Sequence, residues 1–172
     1  GWIPFAEITA DLPAAGWAAT WAALRSGEAP VVASLSASTI DGAASFLETC
    51  DLIGISLVHA DLDDPEPNDE QLDDLCAQMH TEVMRSAELV EETPILISQF
   101  TARHDDADVQ GLIAEQFVSA LNAANNDGAQ IGAAFVDPAV TGPESSGGLL
   151  DSTRSTTPMA NAVLGGANSY AD

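Results

Sequence analysis

The sequence predicts an α/β domain, a three-layer sandwich with a mostly parallel sheet of about four strands, an N-terminal helix and an extended C-terminal arm. Three observations lead there. Four short apolar runs, Val31–Leu35, Leu52–Val58, Ile95–Phe100 and Ile131–Val136, are continuous rather than alternating, as in strands buried on both faces. Amphipathic helical stretches separate them. Crossovers of that length join parallel neighbours with right-handed topology. The runner-up architecture is half of a barrel-like α/β unit completed by another chain.

In chain order, residues 1–11 form an irregular arm carrying Trp2, Ile3, Phe5 and Ile8. Asp11 then caps a helix over 12–25, with Pro13 tolerated in its first turn and Trp17, Trp21 and Leu24 on one face. A weaker helix, 40–48, joins the first two strands. The clearest helix spans 69–92, with Leu72, Leu75, Met79, Val83 and Val90 on one stripe and Asn68 and Gln71 at capping-box spacing. A further helix runs from 107 to 125, capped by Asp105 or Asp106, stopped by Asp127-Gly128, and turning Val109, Leu112, Ile113, Phe117, Ala120 and Leu121 inward. The α/β domain is thus expected over 1–140. Residues 141–172 read as a linker and C-terminal arm, with a short helix that starts at Thr157-Pro158 and stops at Gly165-Gly166.

A chain of 172 residues buries roughly two-thirds of its unfolded surface. With 46% hydrophobic but 5% aromatic residues, its core is aliphatic. Charge is the strongest compositional signal: 27 acidic residues face 4 basic ones, for a net charge of -23. The basic residues are Arg25, Arg85, Arg103 and Arg154, and lysine is absent. A GC-rich genome suppresses lysine but raises arginine, and here both are scarce. A hydrated anionic surface tolerated only in high salt fits better, because at molar salt the Debye length falls to about 3 Å. The expected source is a salt-loving organism, and the expected location its cytoplasm or a virus particle assembled there. Nucleic acid and anionic membrane are not expected as direct partners, since the chain has few cations to offer phosphate.

Cys50 and Cys76 are too few for a disulfide scaffold and read as reduced thiols. No basic, apolar leader opens the chain, although a start at Gly1 leaves a processed form open. No apolar run reaches the roughly 18 residues of a membrane span.

No residue pattern specifies a chemistry. Open parallel sheets bind ligands beyond the carboxyl ends of their strands. Those ends carry His59 and Asp61, then Arg103, His104 and Asp105, then Asp137. His59, Asp61, His104, Asp105 and Asp137 are therefore the candidates for general acid–base work, and His59, Asp61 and His104 for a metal. At most a divalent cation is expected as cofactor. The plain alternative is that these aspartates cap helices and hold water. The acidic loop Asp61–Pro65 lacks the glycine of a calcium loop. Cys76 and His80, four apart on a helix, could pair as nucleophile and base. Nucleophile elbows, phosphate loops and dinucleotide fingerprints are all missing from strand ends.

Two functions follow. One is a structural or assembly subunit of a larger particle, a virion component among the options, binding protein partners or itself through the N- and C-terminal arms. The other is an α/β enzyme or ligand-binding domain, with metal-assisted hydrolysis as its best-matched reaction and its site at the strand ends.

Overall fold

The computed structural model describes residues 32–36, 52–59, 66–90, 94–102, 104–136 and 155–168, together with Leu62, Asp64 and Leu149. Four strands and three helices lie there: β1 (Val32–Ser36), β2 (Leu52–His59), α1 (Asp69–Val90), β3 (Ile95–Ala102), α2 (Ala107–Asn126), β4 (Ile131–Val136) and α3 (Pro158–Asn168). The strands pair in the order β1-β2-β3-β4, and every pairing is parallel. The expected α/β class and parallel sheet flanked by helices are present, consistent with a layered sandwich. The helices expected at 12–25 and 40–48 lie outside the described residues.

The order has a geometric consequence. A sheet that never reverses its winding places successive right-handed crossovers on the same face, the arrangement followed along each half of a (β/α)8 barrel. Accordingly α1 packs on α2, and α2 packs on α3.

One face of β3 makes the core. Ile95, Ile97, Phe100 and Ala102 are all fully buried, whereas Leu96, Ser98 and Gln99 are only partly so. Strict alternation would turn Phe100 away from Ile97, and a register shift between β2 and β3 restores it. Ile55 pairs with Ile97 but Ser56 with Gln99, leaving Ser98 as the extra residue. Phe100 then stacks on Phe117 of α2, with ring centroids 3.8 Å apart and planes 5° from parallel. Such a pair contributes about 0.5–1.5 kcal/mol beyond the area it buries. Ile53 and Ile55 of β2, Met79 and Val83 of α1, and Val109, Ile113 and Phe117 of α2 complete one continuous cluster.

Helix ends follow their local signals. The backbone N–H of Asn68 donates to Gln71 Oε1 at 2.9 Å, and that of Gln71 to Asn68 Oδ1 at 3.0 Å, the reciprocal bonds of a capping box. Asp106, not Asp105, caps α2: its Oδ1 accepts from the N–H groups of Asp108 at 2.8 Å and Val109 at 3.3 Å. Gly128, at φ 104°, ends the same helix in a backbone conformation that costs glycine nothing. The hydroxyl of Thr157 accepts from Ala160 N–H at 3.2 Å, capping α3 as expected. That helix does not stop at Gly165-Gly166 but continues to Asn168. Its first turn rests on α2, where Met159 is fully buried and Ala160 nearly so. Among the described residues, no helix is long and apolar enough to cross a membrane.

Candidate functional site

Because every strand runs the same way, all four carboxyl ends share one edge of the sheet. His59 is the last residue of β2, and its backbone is in register with Ala102, the last residue of β3. His104 follows two residues later. Topology therefore brings the two histidine positions to adjacent strand ends, which sequence alone could only suppose. Asp61, Arg103 and Asp137 lie outside the described residues.

The β3–α2 junction carries His104. His104 is partly buried. Its Nδ1 accepts the backbone N–H of Asp106 at 2.9 Å, closing a tight turn just before the helix. Its carbonyl accepts from Gln110 Nε2. Gln110 is itself only 6% exposed and sits on the inward face of α2, among residues that pack the core. Gln110 supports the site without having been a candidate. Its signal was a polar residue directly beside Val109 on the buried side of an amphipathic helix. Asp105 is exposed.

After β2, Leu62 and Asp64 are described. Leu62 is tucked into the core at 9% exposure. Asp64 Oδ1 accepts Glu66 N–H at 3.0 Å, so this aspartate forms a turn. Among the described residues, no three histidine, cysteine or acidic side chains come together to hold a metal ion.

The Cys76–His80 pair does not form a nucleophile and base. Burial, with the nearby Asp73 carboxylate adding to it, pushes the Cys76 thiol above its ordinary pKa, the opposite of what a thiolate nucleophile needs. His80 Nε2 lies 2.9 Å from Asp127 Oδ2 instead, tying α1 to the end of α2.

No protein-family model and no curated protein sequence matches the chain. Its fold does resemble solved structures. One is the crystal structure of the beta-glycosidase BGL167, with a TM-score of 0.56 at 17% sequence identity, covering 91% of this chain and 48% of that one. The chain thus spans about half the length of the glycosidase it resembles. At this identity the likeness concerns the fold. It gives the expectation of a structural, assembly or virion subunit no support and stands against it, since the solved structure this fold resembles is a glycosidase. The physical basis of that expectation also weakens: the C-terminal segment read as an arm awaiting a neighbour places Met159 against α2 of its own chain.

Proposed function

We propose that this chain belongs to a hydrolase acting on glycosidic bonds, with its site at the carboxyl ends of the strands, in a salt-loving organism. The observation that carries this reading is the unreversed parallel sheet, which gathers His59 and His104 at adjacent strand ends in a fold similar to half of a beta-glycosidase. Glycoside hydrolysis requires two carboxyl groups flanking the scissile bond, one to protonate the leaving oxygen and one to act as nucleophile or to activate water. Asp61, Asp105 and Asp137, which follow β2, β3 and β4 in the sequence, are the acidic candidates, and the histidines are suited to hydrogen-bonding a sugar. A neutral polyhydroxylated substrate also suits a surface of net charge -23 better than a phosphate-bearing one.

Chromogenic aryl β-glycosides assayed in molar salt test the reading. The chain is expected to release the aryl alcohol, and Asp61→Asn, Asp105→Asn and Asp137→Asn identify the two carboxyl groups by losses of about 10²–10⁴-fold in kcat. Hydrolysis that survives all three substitutions, or its absence from the unsubstituted chain, would overturn the assignment.

A further inference from the structure

We infer that His104 serves this site as a hydrogen-bond donor through Nε2–H, locked in one tautomer, and not as the general base. The inference rests on the glycosidase reading for the nature of its ligand, but its structural half stands independently. The backbone N–H of Asp106 can only donate, and it meets His104 Nδ1 at 2.9 Å. Nδ1 must therefore carry its lone pair. A neutral imidazole with a bare Nδ1 holds its single proton on Nε2. The turn is anchored from both sides, since Asp106 caps α2 through Asp108 and Val109 while the buried Gln110 side chain holds the His104 carbonyl. Flipping the ring would face the Asp106 N–H with Cδ2–H and lose the acceptor, and moving the proton to Nδ1 would set two donors against each other at the start of the helix. Among the described residues, Nε2 has no hydrogen-bond partner of its own. The imidazole is thus preorganised to offer one donor at a strand end. The acceptor it fits is an uncharged oxygen such as a sugar hydroxyl or ring oxygen. The proton-accepting step of the reaction is left to the carboxylates.

Substitution separates the two jobs of the ring. In His104→Asn, Oδ1 takes the place of Nδ1 and keeps the bond from Asp106, but the distal donor is lost. In His104→Ala both are lost. Long-range ¹H–¹⁵N correlation spectra of the labelled chain in molar salt should show His104 with a protonated Nε2 and a bare Nδ1, and a protonated Nδ1 overturns the inference. Titration with methyl β-glucopyranoside should then shift the Nε2 signal. His104→Asn should weaken sugar binding about tenfold, the loss of one neutral hydrogen bond, with the melting temperature unchanged. His104→Ala should in addition melt about 2–4 °C lower. Unaltered sugar affinity in His104→Asn would reduce the ring to a structural part of the turn. Outcomes for the two proposals are distinct. Protonated Nε2 and a sugar-dependent shift without any hydrolysis would sink the glycosidase reading and leave this one standing. Hydrolysis with a protonated Nδ1 would do the reverse.

Discussion

At Gly111 of α2 the chain lies close against Pro158 of α3, and replacing the glycine with alanine has a sign that the structure dictates. A Cβ built at Gly111 would lie 2.8 Å from Pro158 Cβ and 3.3 Å from the Pro158 carbonyl carbon. The first distance is shorter than real Cβ contacts, and neither atom belongs to a flexible side-chain end. Relief requires α3 to move, and with it the fully buried Met159 and the nearly buried Ala160. Overpacking of this kind costs about 1–3 kcal/mol. Gly→Ala in a helix interior otherwise gains about 1 kcal/mol from reduced backbone entropy. With rigid atoms on both sides of the contact, the upper part of the cost range applies, and the net loss is about 1–2 kcal/mol. For a domain of this size that lowers the melting temperature by roughly 3–6 °C. Gly165 in α3 is the matched control, since a Cβ there meets nothing within 4 Å and the same substitution should be neutral or stabilising by up to about 1 kcal/mol. Thermal melts followed by circular dichroism in molar salt compare the two. If Gly111→Ala melts at or above the parent chain, the packing of α3 on α2 described here is wrong.

Two further outcomes are expected. The Cys76 thiol, raised by burial and by Asp73, should be alkylated by iodoacetamide more slowly than a peptide thiol at neutral pH, with the gap closing as pH rises, and Asp73→Asn should speed it. Because the folded chain holds this proton more tightly than the unfolded one, the associated stability is present below the thiol's ordinary pKa and is lost as pH climbs through the raised folded value. Peptide-resolved mass spectrometry separates Cys76 from Cys50, and faster-than-peptide labelling at Cys76 would contradict the assignment. The net charge of -23 predicts that melting temperature climbs steadily from tens of millimolar to molar salt, as the Debye length shrinks from tens of ångströms to about 3 Å. Melts indifferent to salt over that range would argue against the halophilic origin proposed above.

Much of this architecture was legible in the sequence, and unevenly so. The 3.6-residue stripes placed α1 and α2 to within two residues of their observed ends, because a helix buries one face and its pattern is local. The capping box at Asn68 and Gln71 and the stop at Asp127-Gly128 were readable for the same reason. The continuous apolar runs marked the four strands, with boundaries off by up to two residues. What an amphipathic stripe cannot encode is which surface covers it, so the C-terminal helix looked like an arm for a neighbour until Met159 was found against α2.

At the strand ends the limits were different. His59, Asp61, His104, Asp105 and Asp137 could be selected only from the rule that ligands bind there, and in so acidic a chain every aspartate had a plain role as cap or hydrated surface. Asp106 is in fact a cap and Asp64 a turn former. By itself, then, the sequence determined α1, α2 and the four strands, since each depends on neighbours close along the chain. Strand order, the shift at Ser98 that brings Phe100 onto Phe117, and the nitrogen of His104 that accepts from Asp106 were decided only in three dimensions. Hydrogen-bond direction and winding order arise from contacts between segments or from the path of a single turn, and no residue pattern carries them.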